Sequence, residues 1–143
     1  MEFLPSLKEL VRATQAFEQY SATHTRSMGL TMTQFDVLAT LGNQPPMTCK
    51  ELGEKTLVTK GTLTGVLDRL EAKQLITRVV NSEDARSQKI GLTAKGQKLF
   101  EKVFPAHLEY LSTIFNQLSS KELTQMNQSL KALRIAFEKH AHN

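Results

Sequence analysis

Residues 48–93 read TCKELGEKTLV (48–58), TKGTLTGVLDRLEAKQ (59–74) and LITRVVNSEDARSQKIGLT (75–93). Thr48 followed by Glu51 has the form of a capping box, so a short helix opens there. Thr56, Leu57 and Val58 turn the chain, and Thr59 begins a second helix. Leu63, Val66, Leu67 and Leu70 stand at i, i+3, i+4 and i+7, a single apolar stripe for a core. Ile76, Thr77, Val79 and Val80 are strand-formers, and Lys89–Leu92 is their candidate partner. The polar run NSEDARS (81–87) joins them as a wide loop. Helix, tight turn, helix and hairpin, in that order, predict a winged helix-turn-helix, with the two helices at 48–73 and the wing at 75–93.

The flanks read as helices. Ser6 with Glu9 offers a capping box for a helix reaching about Met28, and Gly29 suits its end. Leu7, Leu10, Val11, Thr14 and Phe17 share one face of it, and Phe3 and Leu4 precede it. A second helix spans Thr33–Leu41, with Thr33 as cap and Phe35, Leu38 and Leu41 facing inward. GNQPP (42–46) ends it, because two consecutive prolines cannot continue a helix. Thr93 caps a long helix reaching about Leu118, with a kink expected at Pro105. Ser119 and Glu122 make a third capping box, and Leu123, Met126, Leu130, Leu133 and Phe137 run down one face of the last helix. The tail HAHN (140–143) is expected to fray. The fold class is mainly α with a small β-wing. The 143 residues make one domain, a lobe at 33–93 flanked by 1–28 and 94–143.

Charge is unevenly placed. Net charge is +4, with a pI near 9.3. Between Thr48 and Lys98 stand ten Lys/Arg and six Asp/Glu, whereas the remainder has eight of each sign. The whole positive excess lies in the central stretch, as a nucleic-acid footprint requires. No apolar run approaches the ~20 residues of a membrane span, and the start MEFLPSLKEL, with an acid at Glu2 and no basic n-region, is unlike a signal peptide. One cysteine, Cys49, forms no internal disulfide, consistent with a cytoplasmic location. Phosphate-binding glycine loops, zinc-hydrolase motifs and a supported Ser-His-Asp arrangement are missing, so the reading is non-enzymatic and without a cofactor. His24, His107, His140 and His142 form no ligand cluster at helical spacing, so no metal is expected.

Three segments resemble the MarR family of transcriptional regulators: LTMTQFDVLATL (30–41), ELGEKTLVTKGTLTGVLDRLEAKQLITR (51–78) and EDARSQKIGLTAKG (83–96). The last is similar to the family's wing signature through Asp84, Arg86, Leu92, Thr93 and Gly96, and Asp68-Arg69-Leu70 adds to it. The resemblance implies that the helix from Thr59 enters the major groove. Thr59, Lys60, Thr62 and Thr64 then reach phosphates or base edges. Gly61 and Gly65 leave a bare surface for close backbone approach. Arg86 at the wing tip enters the minor groove, and Lys89 reaches the backbone beside it. Asp84 holds the wing by pairing with an arginine, expected to be Arg69 near the end of the recognition helix, itself a candidate DNA contact.

The terminal helices are implied to interleave into a homodimer on double-stranded DNA with a pseudo-palindromic site. The expected activity is repression, relieved by a small molecule or other signal. Tyr20 and His24, four residues apart, are the candidates to line an effector pocket. Cys49 is read as a small packing residue, since the oxidant-sensing relatives carry their cysteine on the first helix. A protein–protein adaptor and a sequence-tolerant architectural DNA binder are the alternatives. An adaptor needs an apolar patch where this chain carries threonine, lysine and glycine.

Overall fold

The computed structural model describes residues 1–141. In chain order the elements are α1 (Leu4–Ser27), α2 (Met32–Leu41), β1 (Met47–Thr48), α3 (Cys49–Lys55), α4 (Lys60–Ala72), β2 (Ile76–Asn81), β3 (Asp84–Leu92), α5 (Ala94–Phe115) and α6 (Ser120–His140). They fall into two compact units, Met1–Leu108 and Glu109–Asn143.

In the first unit the predicted apolar stripe of α4 is buried: Leu63, Val66, Leu67 and Leu70. It meets Val37, Leu38 and Leu41 of α2, Leu52 of α3, Ile76 and Ile90 of the sheet, and Val103 of α5. Each such side chain removed from water contributes about 1.5–3 kcal/mol. This cluster packs the second helix of the helix-turn-helix by its inner face, and Lys60, Gly61, Thr62, Thr64 and Gly65 on the outer face stay exposed.

The hairpin is tighter than expected. β3 begins at Asp84 rather than Lys89, so most of the expected loop is strand, and only Ser82 and Glu83 join the two strands. The register shifts between Val80, opposite Gln88, and Asn81, opposite Asp84. The polar residues of 84–88 misled the sequence reading, because a strand exposed on both faces carries no hydrophobic alternation. A third strand was also missed. Met47 and Thr48 pair with Ile90 and Lys89, giving the antiparallel order β1-β3-β2. Two residues are too few to show a period.

Two caps shift. α1 begins at Leu4 without a side-chain cap, and Pro5 occupies its first turn, so Ser6 is an interior residue. α2 is capped by Thr31, not Thr33: the Thr31 hydroxyl accepts from the Gln34 amide and Gln34 Oε1 accepts from Thr31 N, both at 3.1 Å. Thr48 caps α3 as expected, accepting from Glu51 N at 3.1 Å.

Thr93 caps α5, accepting from Gly96 N at 2.9 Å while its hydroxyl donates to the Gln74 carbonyl at 2.7 Å. Gly96 has to be glycine, since a Cβ there would collide with the Leu75 carbonyl oxygen. This junction sets where the wing leaves α4. α5 runs through Pro105 without a break and ends at Phe115, three residues short of the expected limit.

In the second unit α6 is capped by the expected box. Ser119 Oγ accepts from Glu122 N at 3.1 Å, and Glu122 Oε1 accepts from Ser119 N at 3.0 Å. The Ser119 N–H bond to the carboxylate, and then the Ser119 side chain, hold the Glu122 carboxyl below its ordinary range. No residue of α6 is buried, and Leu130, Leu133, Ile135 and Phe137 are exposed. Half of α1, with Phe3 before it, behaves likewise: Phe3, Leu4, Leu7, Val11 and Phe17 are exposed, whereas Ser21 and Thr25 are buried. Of the tail, His140 closes α6, and His142 and Asn143 lie outside the described residues.

Candidate nucleic-acid interface

The outer face of α4 carries Lys60, Gly61, Thr62, Thr64, Gly65, Asp68 and Arg69, all exposed, with Thr59 just before them. Thr59 occupies the cap position, but its hydroxyl makes no bond to the helix backbone. It donates instead to the Thr62 hydroxyl at 3.0 Å. The first turn of α4 therefore keeps unsatisfied amide donors, which point along the helix axis with the positive end of its dipole. Nothing lies within 4 Å of where a Cβ would sit on Gly61 or Gly65. Internal packing does not require either glycine.

The wing stands beside this helix. Arg86 is 93% exposed, the most open of the ion-paired side chains. Its Nε donates to Asp84 Oδ1 at 3.3 Å, and its backbone N donates to the same oxygen at 3.0 Å. The expected Asp84–Arg69 pair does not form: Arg69 is exposed and has no ion-pair partner among the described residues. Asp84 holds the turn from within, because a carboxylate two residues before an amide closes a local ring at lower entropic cost than a distant partner would. Lys89 is half-buried on β3, between Thr48 of β1 and Val79 of β2.

The tie between wing and helix is one the sequence reading missed. Arg78, on β2, reaches Asp68 at 2.6 Å and Glu71 at 3.7 Å, both on α4. Its side chain is 18% exposed, so the guanidinium stem also packs. The signal was available: Asp68 and Glu71 lie three apart on one helical flank, and a lone arginine sits on the facing strand. Between α4, the start of α3 and the hairpin runs an open cleft lined by Thr48, Lys50, Thr64, Arg78, Asn81 and Arg86. Cys49 also lines it and is exposed, so it is not the packing residue expected.

The structure brings His24 and His107 together, 83 residues apart in sequence. Their Nδ1 atoms lie 2.9 Å apart and their rings stack at 5.2 Å. Ser21 Oγ lies 2.9 Å from His107 Nε2, and Phe35 of α2 meets the His107 ring edge-on at 4.5 Å. His107 is 2% exposed. Burial, and then the charge of His24, holds its imidazole below the ordinary 6.5. Helical spacing within one element could not reveal this pair, since α1 and α5 supply one ring each. Tyr20 is half-buried one turn before His24. Among the described residues no group of three or more His, Cys, Asp or Glu gathers as a metal site.

A sequence profile for the MarR family matches residues 30–88. Over 134 residues the chain is 30% identical to the HTH-type transcriptional regulator MhqR of Bacillus subtilis, covering 94% of this chain and 92% of MhqR. The chain belongs to the MarR family. Its MarR fold extends to solved structures. The MepR–DNA complex of S. aureus superposes with a TM-score of 0.79 at 27% identity, covering 93% of this chain and 97% of MepR. BpsR of Bordetella bronchiseptica, whose DNA binding is regulated by 6-hydroxynicotinic acid, superposes with a TM-score of 0.81 at 25% identity over 92% of each chain. This MarR protein is a DNA-binding, helix-turn-helix transcriptional regulator, in a family of regulators rather than enzymes. Among its described residues no helix is long and apolar enough to cross a membrane.

Proposed function

We propose that this MarR-family chain is a cytoplasmic, non-catalytic repressor that binds a pseudo-palindromic operator as a two-fold homodimer and leaves it in response to a signal. The observation that carries the reading is the free face of α4. One side of the helix is spent on the core, and the other offers Thr59, Lys60, Gly61, Thr62 and Thr64 to a groove. Lys60 and the open amides of the first turn meet phosphate, and the threonines meet phosphate or thymine methyls. Arg69 contacts the strand farther along, and Lys89 the backbone beside the wing. Arg86, held at its base by Asp84, enters the minor groove, where narrow A·T tracts concentrate negative potential. MepR, similar over nearly the whole chain, has been seen on DNA.

Residues 33–93 act as the DNA-binding lobe, with 1–28 and 94–143 as the dimerisation helices. The exposed apolar residues of α1 and α6 supply the surface to be covered. A two-fold dimer presents two recognition helices about one turn of B-DNA apart, which sets the half-site spacing. A signal works by favouring a dimer whose helices no longer match that spacing, and its effect is limited by its differential affinity for the two geometries. BpsR, regulated by a small molecule, makes a small-molecule effector the first signal to test. Tyr20 and His24 on α1 are the residues proposed to meet it.

The test is a titration of the protein against its own promoter duplex and a scrambled duplex across a salt series. Specific regulation requires a preference on the order of 10³ or more, with affinity falling steeply as salt rises. Equal, salt-sensitive binding to both duplexes would assign an architectural role, and no binding at low salt would favour the adaptor.

A further inference from the structure

The turn between α3 and α4 decides where the recognition helix begins, and little within the turn holds it. Thr56 N closes α3 by donating to the Leu52 carbonyl at 2.9 Å. Val58 is buried in the core, whereas Leu57, between them, is 89% exposed. The next residue, Thr59, gives α4 no side-chain cap. A helix start usually draws about 1 kcal/mol from such a cap, and this one has to be located by something else.

Among the described residues, one side chain from outside the turn bonds to it. Asp36, on α2, accepts from the Leu57 backbone N–H through Oδ2 at 2.6 Å, across 21 residues of sequence. α2 itself is set firmly. Val37 and Leu38, the next two residues, are fully buried, and Phe35 packs on His107. Asp36 is thus a charged acceptor on a rigid element, and charge-assisted hydrogen bonds are the short, strong ones. Burial raises its carboxyl above the ordinary range, and the Leu57 N–H partly offsets that. A surface carboxylate without a task has no reason to be held in that setting.

We infer that Asp36 is the positioning residue of the helix-turn-helix, fixing the start of the recognition helix on α2 through the Leu57 amide. The inference rests on the DNA-binding reading above. It assigns to α2, which carries none of the DNA-facing residues, the placement of those on α4. It also fits the exposure of Leu57: with its backbone held by Asp36 and Val58 buried, its side chain is left to solvent.

The experiment compares wild type, Asp36→Ala and Asp36→Asn of the full chain. Each is titrated with promoter and scrambled duplexes, and amide exchange is followed along α3 and α4. Asp36→Ala is expected to lose operator affinity on the order of tenfold, with binding to scrambled DNA nearly unchanged. Asp36→Asn keeps a carbonyl acceptor at the same place and is expected to restore most of the loss. In Asp36→Ala the Leu57 amide should exchange faster while those of Leu63–Leu70 keep their protection. Wild-type operator affinity in Asp36→Ala would overturn the positioning role alone. Loss of protection throughout α4 would overturn it too, in favour of plain destabilisation. A wild-type protein that binds neither duplex would overturn the DNA-binding reading and the positioning role with it.

Discussion

Arg86 and Arg78 show how one residue type divides its work. Arg78 is largely covered, hydrogen-bonded to Asp68 and near Glu71, both on α4. Arg86 is open, and its one ion pair is to a neighbour two residues away. An exposed pair of that kind contributes little to stability, so removing Arg86 should leave the fold alone. Arg86→Ala is expected to weaken operator binding by about tenfold or more, with helix content and association state unchanged. Unchanged affinity in a titration at fixed salt would remove the wing from the interface.

His107 gives a pH dependence with a definite sign. Its folded imidazole lies below 6.5, so the folded state favours the neutral ring and the unfolded chain takes up the proton first. The stability it contributes is complete above pH 6.5 and is lost as pH falls below 6.5 toward the depressed value. The geometry agrees: the two Nδ1 atoms lie 2.9 Å apart, so a hydrogen bond between them needs one nitrogen without a proton, and protonating both would set two N–H donors against each other. Denaturant midpoints should therefore fall between pH 7.5 and 5.5, about the ordinary His range, and fall less in His107→Gln. An identical fall in the variant would place the acid sensitivity elsewhere.

At the scale of elements, α4 is built against its own stability. Gly65 stands mid-helix with open space where a Cβ would go. Alanine there should stabilise the helix by up to ~1 kcal/mol. The same methyl would stand between the helix and an approaching backbone, so Gly65→Ala is expected to melt higher and bind operator more weakly. A variant that melts higher and binds as well as wild type would show that no groove comes that close. The wing obeys a related division. Its base is tied on one edge through Arg78 of β2 and on the other through β1, while its tip is closed by Asp84 within two residues. A tip held only by itself can move without loosening α4.

At the scale of the whole molecule, apolar surface is the guide. The lobe around α4 has a dense core, yet α6 buries nothing and α1 leaves its first half uncovered. Large apolar residues in that number are not left to water in a stable regulator. Removing residues 119–143 is expected to give a monomer or an unfolded chain. Sedimentation of a folded dimer from that truncation would put the interface elsewhere. The net charge of +4, concentrated between Thr48 and Lys98, makes a steep salt dependence a property of the lobe rather than of the ends.

Local signals were legible in the chain. The stripe at Leu63, Val66, Leu67 and Leu70, the caps at Thr48 and Ser119, and the excess of positive charge all follow from neighbours within a turn or two. Helical period, capping and composition act over that range, so they can be read without knowing what packs on what. Thr31 replaced Thr33 as a cap because both start the same helix and only backbone geometry chooses between them. What tertiary structure alone decided are the pairings across elements: Asp68 with Arg78, His24 with His107, and Asp36 with the Leu57 amide, as well as the absence of the expected Asp84–Arg69 pair, Asp84 closing locally on Arg86. A side chain with several oppositely charged or hydrogen-bonding candidates has no partner until the core has set the distances. The sequence therefore determined which helix faces outward, and the fold decided what holds it in place.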